Sequence, residues 1–517
     1  RPRRLARCRP ARLVSVAGKR PGAAMRNSDP GLPPPPLVVD LDGTLTPTDT
    51  LWESLVRLVK LHPGALLSLP FWLLRGRAHF KERVARSAGW SGEGVPLREE
   101  LLAYLQEQKK AHRKIVLATA AHAPIAETIA KRVGLFDAVI ASDGRVNLKG
   151  RNKLDAIKEK VGERFVYAGD SRADIPIWSA AEGAILVGTS AALRRTVAQL
   201  SPLEREFGSG PGGWRLWLRA IRVHQWLKNI LIFVPLLTSF SLFDDGRLGL
   251  AALAFIAFSL AASATYLIND LWDLDSDRSH PRKRDRPLAS GAIGIPQALV
   301  AAVALMLAAS AVALAVGYRF AFLLLVYVVL TSAYSWTLRR FVVLDVLTLA
   351  CLYMIRIVSG AVAIGVAVSS WLLAFSGFLF FGLALVKRCA ELVTLGQNET
   401  TASTGRNYYV SDLRVLWPMG VGASMCSVVV FGLFISWPDT GVRYASPELI
   451  WLAALGLIYW LARLWIKTSR GEMHDDPMVF AARDLNSRIN ILIMVLITLI
   501  SYFVDLDRYI PWVLGAP

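Results

Sequence analysis

A run of acidic residues stands at the end of an apolar segment that is long enough to cross a bilayer. Asp270, Asp273 and Asp277 are three and four positions apart, a spacing that places all three side chains on one face of a helix. Carboxylates at the rim of a membrane helix are costly unless they face a cavity, a cation or one another. Their oxygens suit Mg²⁺, and through it a diphosphate. The sequence therefore predicts one or two magnesium ions and a diphosphate at this motif, with Asn269 orienting the acids.

Basic residues follow these acids directly, between Arg278 and Arg286. Arg binds phosphate oxygens as a two-pronged clamp, whereas Lys acts as a point charge. The same charges could serve only to orient the helices in the membrane, but their place directly after paired acids favours phosphate binding. We predict that substrate phosphates contact a basic set consisting of Lys228, Arg282, Lys283, Arg284 and Arg286.

The composition indicates a membrane part joined to a soluble part. Of 517 residues, 54% are hydrophobic and 19% are charged, and the mean hydropathy is +0.40. The net charge of +19 is spread over loops beside apolar segments, so we expect anionic lipid and phosphorylated substrates as partners, and no nucleic acid. Nine apolar segments predict nine transmembrane helices, at about 228–243, 248–268, 295–316, 319–337, 342–365, 369–386, 415–436, 447–466 and 489–505.

Lys and Arg crowd every second connection between these segments, for example at Arg339 and Arg340. Because cytoplasmic loops of membrane proteins are rich in Lys and Arg, this bias predicts the orientation of the chain. The N-terminus and both candidate sites are expected in the cytoplasm, the C-terminus outside, and the chain in the inner membrane of a bacterium.

In the N-terminal third, polar residues follow short predicted strands. Asp40 and Asp42 end the apolar run from Leu37, Thr119 ends a second run, and Asp170 and Asp174 follow a third. Lys153 opens a predicted helix. Because ligands of open parallel sheets bind beyond the carboxyl ends of the strands, the pattern predicts an α/β domain with its reactive groups at one edge.

The motif Asp40-x-Asp-Gly-Thr, the hydroxyl at Thr119, Lys153 and the final Gly-Asp-x-x-x-Asp resemble the haloacid-dehalogenase phosphatase superfamily over about residues 36–200. The resemblance implies a Rossmann-like α/β fold in which Asp40 is the nucleophile and Asp42 the general acid. Thr119 and Lys153 would hold the phosphoryl oxygens. One Mg²⁺ is implied, with a metal set of Asp40, Asp42, Asp170 and Asp174. A domain that only docks or stabilises the membrane part is the alternative.

The same resemblance implies a helical cap at about residues 45–113. This region contains the apolar run 66–74, which is too short to cross a bilayer. We favour its burial in the cap core over the alternative, an interfacial surface that brings the active site to lipid. The expected domains are a basic, Pro-rich arm (1–35, with Met25 as an available start), the phosphatase domain (36–200), a linker (201–213) and the membrane domain (214–517).

The membrane domain, with its Asn269-Asp-x-x-Asp-x-x-x-Asp277 motif and nine helices, resembles the UbiA-type prenyltransferase superfamily. Segments 221–236, 280–291, 387–391 and 474–480 are similar to its decaprenyl-phosphate phosphoribosyltransferase branch. That resemblance implies phosphoribosyl diphosphate as donor and a polyprenyl phosphate as nucleophile at C1 of the ribose. The second Asp-x-x-x-Asp motif of ordinary prenyltransferases is incomplete, because Leu349 stands four residues after Asp345.

Four further residues are candidate substrate contacts in the predicted spans or at their ends. Asp345 and Arg356 could contact the ribose or pair with each other. Lys387 and Arg388, near Glu391, could bind substrate or form a solvated helix end.

The fusion of the two parts predicts a bifunctional enzyme. A phosphoribosyl transfer product keeps its 5-phosphate, which a phosphatase on the same membrane face could remove to give polyprenylphosphoryl ribose for cell-envelope glycans. One alternative is an aromatic or quinone prenyltransferase that uses a prenyl diphosphate, with an accessory phosphatase. Another is a non-catalytic scaffold that senses a phosphorylated ligand. A homo-oligomer is compatible with either enzyme.

Overall fold

In a computed structural model of the chain, the described residues are 33–143, 146–208, 212–241, 244, 246–397, 406–438, 440, 444–473 and 476–505. Most of the predicted N-terminal arm, Met25 included, lies outside them. So do residues 209–211 of the predicted linker.

The N-terminal part contains a six-stranded parallel sheet with the order β3-β2-β1-β4-β5-β6. Its central strand, β1, is buried along its whole length, as expected for a parallel strand covered on both faces. The strands are β1 Leu37–Val39, β2 Ile115–His122, β3 Ala138–Ser142, β4 Val166–Gly169, β5 Gly183–Val187 and β6 Leu203–Phe207.

The sheet extends past the predicted domain end at residue 200. Strand β6 pairs with β5 inside the stretch that we predicted as linker, so a linker that begins at residue 201 is wrong. β6 is an edge strand with exposed charges at Glu204, Arg205 and Glu206. Its sequence therefore lacks the apolar run by which the inner strands are recognised.

Helices lie between the strands and, above all, between β1 and β2. The helical insert (residues 50–110) comprises α1 Thr50–Leu61, a 3-10 helix Pro63–Ser68, α2 Leu69–Leu74, α3 Arg77–Ala88 and α4 Glu99–Lys110. The remaining helices of this part are α5 Ala123–Val133, α6 Arg151–Val161, α7 Ile175–Trp178 and α8 Ala191–Leu200, with a short 3-10 turn at Arg172–Asp174.

The predicted burial of the apolar run 66–74 in the core of the cap is wrong. Neither the 3-10 helix Pro63–Ser68 nor α2 contains a buried residue. Ala65, Leu69 and Trp72 pack partly against the core, but the other large side chains of the run face outwards.

The C-terminal part is helical, and within the described residues eight segments are long and apolar enough to cross a membrane: Arg247–Trp272, Ile295–Val316, Tyr318–Trp336, Leu344–Ile364, Ser370–Gln397, Val410–Ile435, Pro447–Ser469 and Leu485–Phe503. The α-helices of this part are α9 Trp214–Ala220, α10 Val234–Thr238, α11 Arg247–Trp272, α12 Leu274–Ser279, α13 Ile295–Val316, α14 Tyr318–Trp336, α15 Leu344–Ile364, α16 Ser370–Gln397, α17 Leu413–Ile435, α18 Ile450–Ser469, α19 Pro477–Arg483 and α20 Leu485–Phe503; 3-10 turns cover Leu338–Arg340, Val410–Asp412 and Pro447–Leu449.

The first predicted span, 228–243, is not a continuous α-helix. Val223–Phe233 is a 3-10 helix, and Pro235, which has no backbone N–H, opens the short α10. The 3-10 segment packs tightly on α15, where a Cβ at Gly360 would overlap the carbonyl oxygen of Ile232.

Two further sequence expectations differ from the structure. The acids of the motif do not share one helix face, because α11 ends at Trp272 and α12 starts at Leu274, with Asp273 between them. The predicted span 369–386 continues as α16 to Gln397.

The insert packs directly against the membrane part. Trp52 and Val56 of α1 join an apolar cluster whose buried members come from the membrane part: Ala220, Leu267, Leu271, Leu274, Leu288, Ile293, Ile295, Ala298 and Ala302. Gly291, with φ +74°, lies so close to Pro47 that a Cβ there would overlap the proline ring. The two parts therefore share a core.

Candidate functional site

The carboxyl ends of three adjacent strands bring the polar residues of the N-terminal part together. β1 lies between β2 and β4, so Asp40 after β1 is flanked by Thr119 of β2 and by Asp170 after β4. Oxygens of Asp40, Asp170 and Asp174 lie within 4.8 Å of one another, the one such group among the described residues. Thr119 is fully buried, and its hydroxyl accepts the N–H of Ala121 at 3.0 Å.

Lys153, near the start of α6, holds this group from one side. Its ammonium donates to Asp40 Oδ1 at 2.8 Å and to the hydroxyl of Tyr167 at 3.0 Å. Tyr167 donates in turn to Asp174 Oδ1 at 3.0 Å, and Ser171 donates to Asp174 Oδ2 through its hydroxyl at 3.0 Å. The Asp174 side chain is therefore fixed by neighbours that the sequence motif does not include, such as Tyr167.

The charge balance of the three carboxylates fits a divalent cation. Burial raises the pKa of Asp40 to about 6 despite the opposing charge of Lys153. Burial and the neighbouring Asp40 and Asp174 raise the pKa of Asp170 to about 7. At Gly43, with φ +78°, a Cβ would overlap the Asp170 carboxylate. Hard oxygen ligands with excess negative charge are those that Mg²⁺ prefers.

Asp42, which we had included in the metal set, faces another way. Its carboxylate accepts the N–H of Thr50 at 2.9 Å and the Thr50 hydroxyl at 3.2 Å, at the N-terminus of α1. Burial, followed by the charge of Asp49, raises the pKa of Asp42 to about 7. A carboxyl that keeps its proton near neutral pH can act as a general acid.

A small pocket beside Asp42 lies between α1, α3 and the end of β2. Lys81 of α3 lines it together with Thr50, Ser54 and His122. The Lys81 ammonium donates to the carbonyl oxygen of Ala120 at 3.0 Å, and burial lowers its pKa. Sequence reasoning missed Lys81, because one Lys on a helix of an insert resembles any surface cation.

In the membrane part, Asp270 and Asp277 share one arginine. Arg286 Nη1 donates to Asp277 Oδ2 at 2.5 Å and to Asp270 Oδ1 at 3.2 Å. Asp270 also accepts from Arg222. The guanidinium of Arg286 thus lies between the two carboxylates and neutralises part of their charge. A bound cation could take the same position, and carboxylate oxygens are ligands that fit Mg²⁺.

Asp273 has a separate partner, Arg339. The guanidinium of Arg339 contacts both oxygens of Asp273, at 2.9 and 3.0 Å. Asn269 is half-buried on the last turns of α11, Arg282 and Arg284 are exposed, and Lys283 is half-buried. Among the predicted basic residues of the loop 282–286, it is Arg286 that contacts the acids Asp270 and Asp277.

A second polar cluster forms around Asp476. Its carboxylate accepts from Lys228 at 2.8 Å, from Lys387 at 3.5 Å and from the hydroxyl of Tyr353 at 3.2 Å. Lys228 and Lys387 hold the pKa of Asp476 well below its usual range, although burial alone would raise it. We did not predict a role for Asp476, whose partner Lys228 is 248 residues away in the sequence.

Asp345 and Arg356 do not pair with each other. Asp345 accepts from Arg388 and, at 2.6 Å, from the hydroxyl of Tyr408. Arg356 donates to Asn229 Oδ1 at 2.9 Å and to Tyr327 at 3.1 Å. Arg388 is 1% exposed and also contacts Glu391, so the solvated helix end is wrong for this residue.

Helix α1 connects the two sites. Its first residue, Thr50, binds Asp42, and one turn later Glu53 accepts two hydrogen bonds from Arg278, at 2.6 and 3.0 Å. Arg278 directly follows Asp277 of the acidic motif. Three residues of helix rise by about 5 Å, so one short element contacts both Asp42 and the residue that follows Asp277.

Comparisons with known proteins assign both parts. Residues 231–492 match the UbiA prenyltransferase family, and residues 37–179 match the haloacid dehalogenase-like hydrolases. The chain is 39% identical over 462 residues to uncharacterized protein y4nM of Sinorhizobium fredii, covering 87% of this chain and 88% of that protein. It is 34% identical to nodulation protein NoeC of Azorhizobium caulinodans, covering 53% of this chain and 90% of that protein.

A third relative is decaprenyl-phosphate phosphoribosyltransferase of Mycobacterium tuberculosis. The identity is 33% over 275 residues, which covers 52% of this chain and 87% of that protein. The matched family spans half of the chain, and it contains the acidic motif, Arg286 and the Asp345–Arg388 pair. The resemblances that we inferred from the motifs are thereby confirmed, and the chain belongs to the UbiA prenyltransferase family, with a haloacid dehalogenase-like domain in front of its membrane part.

Proposed function

We propose that the chain transfers 5-phosphoribose from phosphoribosyl diphosphate to a polyprenyl phosphate, and that its N-terminal domain then removes the 5-phosphate. The observation that carries this proposal is α1, whose Thr50 binds Asp42 and whose Glu53 binds Arg278. One helix that contacts Asp42 at one site and the residue next to Asp277 at the other favours two activities on one lipid-linked substrate.

Two features support a reaction between two anions. The acidic motif is enclosed by Arg222, Arg286 and Arg339, and Lys228 and Lys387 share the single carboxylate of Asp476. Two lysines on one carboxylate leave a positive charge in excess at Asp476, which suits the phosphate of an anionic acceptor. The similarity to decaprenyl-phosphate phosphoribosyltransferase, at 33% identity, supports the same two anionic substrates.

The proposed roles at the transfer site follow from these contacts. Asp270, Asp273 and Asp277 would hold one or two Mg²⁺ for the diphosphate, with Asn269 orienting the acids. Mg²⁺ would supply charge neutralisation for the leaving diphosphate. Arg286 moves from the two acids to the phosphate oxygens, joined by Arg282, Lys283 and Arg284. Lys228 and Lys387 hold the lipid phosphate, while Arg356, Asp345 and Arg388 shape the ribose pocket.

At the phosphatase site, Asp40 attacks the 5-phosphate of the ribose, and Asp42 donates a proton to the departing ribose oxygen. Lys153 and Thr119 hold the phosphoryl oxygens, and Asp40, Asp170 and Asp174 hold one Mg²⁺. Asp42 then accepts a proton from the water that hydrolyses the aspartyl phosphate. The insert acts as the cap of this domain, with Lys81 of α3 beside the substrate.

The broken helix 223–238 is the proposed ninth crossing. Eleven residues of 3-10 helix rise by about 22 Å and five of α-helix by about 8 Å. The sum is close to the bilayer core of about 30 Å. Nine crossings of a bacterial inner membrane would put the N-terminus and both sites in the cytoplasm and the C-terminus outside.

Incubation of the purified full chain with Mg²⁺, decaprenyl phosphate and labelled phosphoribosyl diphosphate tests the proposal, with mass analysis of the lipid extract. Wild-type protein should give decaprenylphosphoryl ribose, and an Asp40→Asn variant should stop at its 5-phosphate. A prenylated aromatic product in a parallel assay with prenyl diphosphate, and no ribosylated lipid, would overturn the proposal in favour of an aromatic prenyltransferase.

A further inference from the structure

The helical insert carries an apolar surface that faces outwards. It is formed by the 3-10 helix Pro63–Ser68 and by α2, which together run over 12 residues. One side of this segment packs on the core through Leu69 and Trp72. The opposite side is exposed: Leu66 by 47%, Leu67 by 79%, Phe71 by 69%, Leu73 by 53% and Leu74 by 85%. A contiguous apolar surface of this kind marks a contact site.

The segment begins close to the end of a membrane helix. Lys60, in the last turn of α1, donates to the carbonyl oxygen of Trp272 at 2.9 Å, and Trp272 is the last residue of α11. The rings of Trp272 and Trp336 lie 5.5 Å apart, and Trp at helix ends is typical of the membrane interface. Pro63 follows Lys60 by three residues, so it starts within about 10 Å of the Lys60 backbone, whose side chain reaches Trp272.

The neighbouring surface also meets lipid. α1 packs through Trp52 and Val56 against the start of α13. Further along, α13 exposes Val300 and Leu307 by 68% and 66%, as a helix that borders lipid does. α1 therefore joins the exposed apolar segment to a helix whose outer face contacts the bilayer.

Basic residues follow the segment. Arg75, Arg77 and Arg83 are exposed, and the first two directly follow Leu74. Cationic side chains beside an apolar interfacial segment are attracted to anionic lipid headgroups. This charge pattern favours lipid over a second copy of the chain, whose corresponding surface would present the same positive charges.

We propose that residues 63–74 lie in the bilayer interface, with Leu67, Phe71 and Leu74 among the acyl chains and Arg75 and Arg77 at the headgroups. The segment is too short to cross the membrane and of a suitable length to lie along its surface. Because it joins α1 to α3, the two helices that line the pocket beside Asp42, its insertion would hold that pocket at the lipid surface.

The test uses spin labels on the full chain in lipid nanodiscs containing phosphatidylglycerol. In a background with Cys8, Cys351, Cys389 and Cys426 replaced by Ala, single cysteines are placed by Leu67→Cys and Leu74→Cys. Both side chains are exposed, so the changes leave the core intact, and the two positions give independent readings. Leu307→Cys serves as the lipid-facing reference and Arg195→Cys, exposed on α8, as the water-facing one.

Collision rates with molecular oxygen and with a water-soluble nickel chelate separate the outcomes. We expect the ratio of oxygen to nickel collisions at Leu67→Cys and Leu74→Cys to lie well above that of Arg195→Cys and below that of Leu307→Cys, which is at the middle of its membrane helix. A ratio like that of Arg195→Cys would mean contact with water and would overturn the proposal. Low rates with both reagents would mean cover by protein, as in a homo-oligomer, and would overturn it equally.

Discussion

Glu53 and Arg278 form a two-pronged ion pair across the boundary between the phosphatase-like part and the membrane part. The side chains are only 3% and 8% exposed and lie 225 residues apart in the sequence. Glu53 also accepts from the hydroxyl of Thr48 at 2.7 Å, and the carbonyl oxygen of Thr48 accepts the N–H of Gly43. The pair therefore connects the loop after Asp40 with the loop after Asp277.

Replacing Glu53 by Gln should destabilise the chain, because Arg278 would remain buried without its counter-ion. The loss of one partner of a buried pair costs about 3–5 kcal/mol, which thermal unfolding in detergent would measure. The variant should also release more lipid that still carries the 5-phosphate. Asp275→Asn is the control, since it removes the exposed Arg57–Asp275 pair, which is worth at most about 1 kcal/mol. Equal effects of both variants would contradict the special role of Glu53.

Asp170→Asn should abolish the phosphatase step and leave the transfer step unchanged. The change removes one of three carboxylates from the proposed Mg²⁺ group, and a contribution of several kcal/mol corresponds to a loss of about a hundredfold or more. The assay is the ratio of phosphorylated to dephosphorylated ribosyl lipid. Asp155→Asn, on the same domain but outside the group, should keep the wild-type ratio.

Arg286→Gln should raise the KM for phosphoribosyl diphosphate by about ten- to a hundredfold. This factor corresponds to the binding free energy of one hydrogen bond between charged groups. Arg286 is the basic residue of its loop that contacts Asp270 and Asp277. Arg284, which is exposed, is proposed only to join Arg286 at the phosphate, so Arg284→Gln should raise the KM by clearly less than Arg286→Gln. An equal or stronger effect of Arg284→Gln would shift the proposed phosphate site away from the acids.

Asp476 should stabilise the chain over most of the pH range. Lys228 and Lys387 lower its pKa in the folded state, so its contribution is complete above the unfolded value of about 3.9 and is lost as the pH falls below that value. The melting temperatures of wild type and Asp476→Asn should therefore differ by a constant amount from pH 7 to pH 5. A difference that shrank already between pH 7 and pH 6 would contradict the lowered pKa.

The number of crossings decides the side of the C-terminus. With 223–238 as a ninth crossing, the two ends lie on opposite sides, whereas the eight long helices alone would place them on the same side. An alkaline phosphatase fused to the C-terminus should be active in the periplasm, and a fluorescent protein that matures only in the cytoplasm should stay dark. The reverse pattern would reject the ninth crossing.

Sequence reasoning worked best where one motif belongs to one strand end. Asp40, Lys153, Asp170 and Asp174 lie together, as their motif order suggests, because parallel strands deliver their carboxyl ends to the same edge. It failed where the outcome depends on tertiary contacts. Arg388, which lies on the unpredicted continuation of α16, pairs with Asp345, a residue on another helix. The break at Asp273 leaves its carboxylate in contact with Arg339, 66 residues away.

Contacts between segments that are distant in the sequence could not be predicted from the sequence. From the sequence, Glu53 is a common acidic residue in the first turn of a helix, and Asp476 is a common N-cap residue. The second role of each, as partner of Arg278 and of two lysines, requires the three-dimensional arrangement.

The cluster that Trp52 and Val56 share with the membrane part also bears on how such a chain folds. The two matched families meet in the sequence between residues 179 and 231, yet Trp52 and Val56 of α1 pack against residues beyond that boundary. The N-terminal part can finish its packing only after α11 and α13 have been synthesised and inserted. The border between the two families is thus not the border between two independent folding units, and a soluble fragment cut there would expose Trp52 and Val56 of α1.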